Sequence, residues 1–395
     1  MFIMKQPLLL LSYDEFQLRL LRLRSLMSKA GIDAVLISDN ANIYYLTGRV
    51  YAGYIYVPFA GDVRFFVRRP VDLIGEGVEY IRKPEDMLEL LNHSLRNKIG
   101  LELGTMSYNS AQRLMKVFAS VKIADASAVL QESRSVKTAF EIEQIALSGV
   151  KQERVYRQVP GLYEPGMTDL ELQIEIEHKS RLEGCLGQFR ISGDSMELYM
   201  GNILSGDNAD NPSPYDFAMG GAGADPSLPV GGNGSVIGVT DSVMVDINGN
   251  YTGYMTDMTR TFAVKELSEL ALKAHQCSIE ICHCLQQMMQ PGVEAKSLFE
   301  KAYEMAQEAG LHEYFMGYRQ KAGFVGHGVG IEINERPVIA PRSRDILSSG
   351  NVIALEPKFV IPGTGAVGIE NTYVVVENGM AHCLTNAPEE IVMFE

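Results

Sequence analysis

At 395 residues the chain is long for a single core, so two domains, or one large domain with an appendage, are expected. Its 46% hydrophobic and 21% charged residues are ordinary for a globular enzyme and leave ample apolar material for a core. A formal charge of −14 argues against nucleic acid as a partner, and no apolar run approaches the roughly 18 residues that would span a bilayer.

The opening segment, residues 1–11, holds one lysine and a short Pro-Leu-Leu-Leu-Leu stretch, too little for a secretory leader, so the expected compartment is the cytoplasm. Leucines at helical spacing predict a helix over 14–30 with Gly31 as its C-cap. A short apolar strand follows at 34–38, then a helix start at 38–40. Strand-like runs lie at 54–58 and 64–67, an amphipathic helix at 85–97, a strand at 99–103 and a helix at 110–120. These alternating elements predict an α/β domain over residues 1–131. The polar stretch Glu132-Ser133-Arg134-Ser135 reads as a connector, with a second domain expected over 138–395.

That second part begins with helical patterns at 141–157 and 169–182, separated by Pro160, Pro165 and Gly166. Residues 201–235, rich in Gly, Asn, Asp and Pro, read as irregular, and 219–225 as a loop whose backbone closely approaches something. From 242 onward strands dominate, interrupted by helices at 266–289 and 295–309. Five cysteines, three of them at Cys277, Cys282 and Cys284, fit buried thiols better than a zinc clip or a disulfide framework.

Unpaired carboxylates are costly inside apolar strands. Asp246 follows Val243-Met-Val, Glu356 follows Val352-Ile-Ala-Leu, and Glu370 lies between Val367-Gly-Ile and Asn-Thr-Tyr. Each alone fits a strand end at the surface; the three together point to a shared cation. Two turns fit between Asp246 and Asp257. An Asn248-Gly249 turn would carry Asp257 away, whereas a four-residue loop at 250–253 sets the two aspartates directly opposite, about 5 Å apart. Gly253 suits the second, which would be a metal hairpin. His327, flanked by Gly326 and Gly328, fits a ligand or a satisfied core residue equally well. Four carboxylates and one imidazole suit Mn, Co, Fe or Zn, and so much negative charge fits two divalent ions better than one.

The string Val245-Asp246, then Gly253-Tyr254-Met-Thr-Asp257-Met-Thr259-Arg260-Thr261, resembles the signature of the pita-bread metallopeptidases: Xaa-Pro dipeptidase, aminopeptidase P and methionine aminopeptidase. Gly326-His327-Gly328-Val-Gly330 with Glu335 and Pro337, then Glu356-Pro357, then Gly365 and Ile369-Glu370, match the later motifs in order. Gly31-Ile-Asp-Ala and Asn42-Ile-Tyr-Tyr-Leu-Thr-Gly48 resemble the N-terminal domain of creatinase and prolidase-like enzymes. Lys137-Thr-Ala-Phe-Glu141-Ile-Glu143 resembles the head of their second domain. The resemblance implies an α/β N-terminal domain plus an α+β pita-bread catalytic domain, a homodimer, and cleavage of N-terminal residues from short peptides by a metal-bridging hydroxide. By position, Asp246 would chelate one metal, Asp257 and Glu370 would bridge both, and His327 and Glu356 would complete the second. Glu356 would also shuttle the proton. Thr259 and Thr261 would give outer support, and Arg260 would serve as a structural ion-pair partner.

The substrate side departs from that pattern. The family's peptidases carry two more imidazoles near the substrate, but Asn334 stands at one position and no histidine occurs between His178 and His275. Gly368 stands where prolidase-like members carry an arginine. Asn334 can donate a hydrogen bond to an oxyanion but not a proton, which makes it a candidate catalytic residue of altered kind. Three readings follow: a peptidase with changed contacts, a metal enzyme of the same fold for a small non-peptide substrate (creatinase- or dimethylsulfoniopropionate-lyase-like), or a non-catalytic scaffold.

Overall fold

The computed structural model describes residues 5–193, 196 and 198–395, so the first four residues of the segment weighed as a leader lie outside it. The chain divides into two compact units, Met1–Arg134 and Ser135–Glu395. The first unit runs β1 (Gln6–Pro7), α1 (Tyr13–Ala30), β2 (Ala34–Ile37), α2 (Asn40–Thr47), β3 (Ala52–Pro58), β4 (Arg64–Arg69), β5 (Leu73–Ile74), β6 (Val78–Tyr80), α3 (Asp86–Leu91), β7 (Lys98–Leu101), α4 (Tyr108–Val117), β8 (Lys122–Asp125) and α5 (Ser127–Ser135). Six strands form a mixed sheet in the order β6-β4-β3-β2-β7-β8, and β1 pairs with β5 apart from it. The central β2 is buried along its whole length, as an Ala-Val-Leu-Ile run covered on both faces should be.

Local signals set the helix ends. Ser12 accepts from the Glu15 amide at the start of α1, and Gly31 closes it at φ 61°. The helix expected to reach Asn97 stops at Leu91, where Asn92 turns to positive φ and a 3₁₀ turn takes over. The expected connector is instead the last turn of α5, with Ser133, Arg134 and Ser135 buried. Its polarity serves burial: Ser133 Oγ donates to the Leu130 carbonyl, and the Tyr45 hydroxyl donates to the Ser133 carbonyl.

The second unit runs α6 (Ala139–Tyr156), α7 (Asp169–Leu182), β9 (Gly201–Ser205), β10 (Ser242–Asn250), β11 (Met255–Ala263), α8 (Glu269–Met288), α9 (Ala295–Glu308), β12 (Gly326–Gly328), β13 (Glu335–Ile339), β14 (Val352–Leu355), β15 (Lys358–Ile361), β16 (Gly365–Gly368), β17 (Asn371–Val374), β18 (His382–Cys383) and β19 (Val392–Met393). Strands order β19-β11-β10-β9 in one sheet and β13-β12-β14-β17-β18 in another, with β15-β16 a separate hairpin. Both α6 and α7 start with a capping box, Thr138/Glu141 and Thr168/Glu171.

Alternation along β10 decides where the site lies. Val243, Val245 and Ile247 share a core with Tyr156, Leu172 and Ile176 of α6 and α7. Burying each such side chain is worth about 1.5–3 kcal/mol, so the odd positions are fixed on the helices and the even ones, Asp246 and Asn248, face the other way. On the far side, Ala274, Ile281 and Leu285 of α8 pack with Leu298 of α9 and with Ile353, Leu355, Phe359 and Val367. The Gly-rich segment at 219–225 approaches the chain as it returns: a Cβ on Gly221 would meet the Gly231 carbonyl at 2.5 Å. Buried Asp169 gathers this region, accepting from the Asn233 and Gly234 amides and from Asn208.

Candidate metal centre

The β10–β11 hairpin turns through residues 251–254, not 250–253, so its register differs from the expected one by two. Asp246 lies opposite Thr259, and Asp257 opposite Asn248. The reason is visible at the turn, where Asn250 still pairs with Met255 and its side chain accepts from the Gly253 amide at 3.1 Å. A two-residue slip preserves side-chain parity, so both aspartates still share one face, set diagonally. Asn248, with its nitrogen turned toward Asp257, donates to both carboxylate oxygens at 2.7 and 3.1 Å.

Glu370 enters from the short link between β16 and β17. Its backbone exchanges hydrogen bonds with Thr259, and the Thr259 hydroxyl donates to its Oε2 at 2.7 Å. Thr261 supports the same link through its hydroxyl, which donates to the Gly368 carbonyl. Gly368, at φ 142°, leaves no room for a longer residue, since a Cβ would meet the Pro357 carbonyl at 2.8 Å. Arg260 is buried, but it is not an ion-pair partner as expected: its guanidinium donates to the Thr259, Glu370, Ala387 and Pro388 carbonyls and to Asn371.

His327 sits on β12. Its flanking glycines serve the strands rather than a bound ion: a Cβ on Gly326 would meet the Ala354 carbonyl at 2.4 Å, and one on Gly328 the Arg336 carbonyl at 2.3 Å. Nδ1 lies 3.1 Å from the Gly328 carbonyl; with the proton on Nδ1, the Nε2 lone pair faces the acids. Nε2 is 3.4 Å from Glu356 and 3.8 Å from Asp257.

The structure thus brings all five expected ligand residues together, as two overlapping triads. In each of Asp257–His327–Glu370 and Asp246–Glu356–Glu370, one ligand atom per residue lies within 4.8 Å of the others. The two triads differ in what they already hold. Glu370 Oε1 is buried without a hydrogen-bond partner, and burial followed by the neighbouring Glu356 charge pushes Glu370 up. Asp257 is raised as well, by burial and then by Glu370, Asp246 and Glu356. Such an undersupply of positive charge, with an imidazole lone pair aimed at it, fits a divalent ion in the Asp257–His327–Glu370 triad.

The other triad contains Lys358. Its Nζ lies 2.8 Å from Asp246 Oδ2, 2.8 Å from Glu356 Oε2 and 3.1 Å from Glu370 Oε2, and the side chain is fully buried. Burial raises Glu356, but the Lys358 ammonium and His327 together outweigh it and hold that carboxyl low. Sequence reasoning that weighs buried acids passes over this base. The signal was available: a lysine opens the apolar run Lys358-Phe-Val-Ile361, two residues beyond Glu356.

Above the acids lies a cleft onto which Asp246, Asp257, His327 and Glu356 open. Ile191, Leu198, Phe217, Phe324 and Ile333 make its walls largely apolar, and Asp216 is an exposed acid at its edge. Asn334 also lines the cleft, and its amide is tied to Ser192. Oδ1 accepts from the Ser192 amide at 2.7 Å and Nδ2 donates to the Ser192 carbonyl at 2.6 Å. These bonds fasten the Ser192 loop and use one of the two Nδ2 donors, so one N–H of the expected oxyanion donor remains.

Residues 143–377 match the model of metallopeptidase family M24, and residues 19–136 that of the creatinase/prolidase N-terminal domain. The uncharacterized peptidase YqhT of Bacillus subtilis is 26% identical over 388 residues, covering 95% of this chain and all of that one. A Xaa-Pro dipeptidase of Pyrococcus furiosus is 27% identical over 388 residues, covering 95% and 99%. Among solved structures, a Xaa-Pro dipeptidase from Bacillus anthracis superposes with a TM-score of 0.81 at 23% identity over 96% of this chain and 99% of that one, a likeness of fold. The chain is an enzyme of metallopeptidase family M24, a pita-bread hydrolase domain preceded by a creatinase/prolidase-type domain.

Proposed function

We propose that the chain removes N-terminal residues from short peptides, Xaa-Pro dipeptides among them, with a divalent Mn, Co, Zn or Fe ion held by Asp257, His327 and Glu370. The observation that carries this reading is the buried triad with its unpartnered Glu370 Oε1, opening onto an apolar-walled cleft. When bound, such an ion supplies Lewis acidity, polarising a scissile carbonyl and making water acidic. Glu356, 3.4 Å from His327 and open to the cleft, is placed to take a proton and pass it to the leaving amine. Asp246 and Glu370 stay fixed by Lys358 and Thr259. The apolar walls suit a proline ring, and Asp216 suits a substrate's amino terminus.

Names of relatives support the peptide class. Asn334, held by Ser192 where the family's peptidases carry an imidazole, favours the second reading, a small non-peptide substrate. Protein stripped and reloaded with Mn or Co, assayed on a dipeptide panel beside small amidino and sulfonium compounds, separates the two. Xaa-Pro turnover that disappears together with bound metal in Asp257→Ala supports the proposal; turnover of the non-peptide compounds alone opposes it. Five cysteines without disulfides accord with a cytoplasmic setting, and no helix among the described residues is long and apolar enough to cross a membrane. The assembly proposed is a homodimer, on the family resemblance alone, and light scattering giving a fully active monomer would remove it.

A further inference from the structure

We infer that Lys358 is a built-in cation standing where a second metal ion would bind, so that the centre takes one divalent ion instead of two. This deepens the metal reading proposed above and rests on it for the first ion only. A lysine ammonium has three N–H donors, and here three carboxylate oxygens from three separate chain segments meet them at 2.8, 2.8 and 3.1 Å. Every donor is satisfied, and each of the three acids in that triad contributes one oxygen. A metal ion bound by the same oxygens at about 2.0–2.2 Å would stand directly beside the buried ammonium, where like charges repel strongly.

The lysine is also poorly placed to leave. It begins β15, where its backbone carbonyl accepts from the Met316 amide at 2.8 Å, and it is paired across the hairpin with Gly368. Its side chain is fully buried, so moving Nζ away would drag a hydrophobic stem through packed core and strip three carboxylates of their partner. The other triad is different. No lysine or arginine of the described ion pairs reaches Asp257, and its neutral donor is the Asn248 amide. Charge points the same way. One divalent ion and one ammonium against four carboxylates leave a single net negative charge, so a second divalent ion is no longer required for balance. The two-ion expectation follows from counting the acids alone.

The test is metal stoichiometry on the full chain, by calorimetric titration with Mn²⁺ and by elemental analysis, with electron paramagnetic resonance of the Mn-loaded protein as a second readout. Wild-type protein is expected to bind about one equivalent and to give the uncoupled six-line Mn spectrum. Lys358→Met, which keeps the stem and removes the charge, is expected to gain about one further equivalent and a spin-coupled spectrum. Two tight equivalents in the wild type would overturn the inference, as would a folded Lys358→Met that gains none. Should Lys358→Met fail to fold, the wild-type stoichiometry decides alone. If the wild type binds no ion while Lys358→Met binds one, the metal reading of the Asp257 triad fails and the role of Lys358 stands.

Discussion

Lys137→Met tests the framework behind the hairpin. The Lys137 ammonium lies 3.0 Å from Glu335 Oε2, with the two side chains only 1% and 3% exposed, so solvent screens the pair little. Gly330 is pressed against it: a Cβ there would meet Glu335 Oε2 at 2.6 Å and Lys137 Cε at 3.0 Å. The Gly330 carbonyl in turn accepts from the Met255 amide, two residues before Asp257. Removing one partner of a buried pair costs about 3–5 kcal/mol, because a counter-charge 3.0 Å away is lost from a site that solvent barely reaches. At roughly 2 °C per kcal/mol for a unit of this size, the melting temperature of Ser135–Glu395 should fall by about 6–10 °C. Scanning calorimetry of wild type, Lys137→Met, Glu335→Gln and the double variant closes a mutant cycle. The double variant should recover at least half of the loss, since it buries no lone charge. A single-variant drop below about 2 °C, or no recovery in the double, would refute the argument that the pair is electrostatically insulated.

Thr259→Val keeps shape but removes the hydroxyl that donates to Glu370, and should weaken Mn²⁺ binding about 10–100-fold in titration; unchanged affinity would show that the hydroxyl does not hold the ligand. Asn334→His should lower turnover rather than raise it, because both bonds to Ser192 are lost and the cleft loop loosens; raised peptidase activity would restore the imidazole argument. His275 is buried with Nε2 on the Glu389 carbonyl and Nδ1 unpartnered, and burial lowers its pKa. A base with a lowered folded pKa leaves stability intact above its unfolded value and loses it as pH falls below. Stability should therefore decline below pH about 6.5 by up to about 1.4 kcal/mol per pH unit, less steeply in His275→Gln; equal slopes in denaturant titrations would count against it.

The acids were legible in the sequence because a carboxylate inside an apolar strand demands a cause, and Asp246, Glu356 and Glu370 all stand in such runs. Asp257 was legible in parity but not in register. Loop length alone does not say that Asn250 stays paired and that its side chain caps the turn. Lys358 escaped because long basic side chains usually reach solvent, and only tertiary structure shows this one turned inward. Asn334 was assigned from its position relative to His327, whereas its bonds run to Ser192, 142 residues earlier. The α5 end misled for a different reason: buried serines look like a linker until their carbonyl partners are known.

The cage around Nζ has a consequence for handling the protein. Asp246, Glu356 and Glu370 are tied to one another through a group covalently part of the chain, and Thr259 ties Glu370 to the hairpin. Chelators therefore have no grip on this half of the centre. Dialysis against them should silence the enzyme while leaving its sheets assembled, and adding the ion back should restore turnover within mixing time, with no refolding lag.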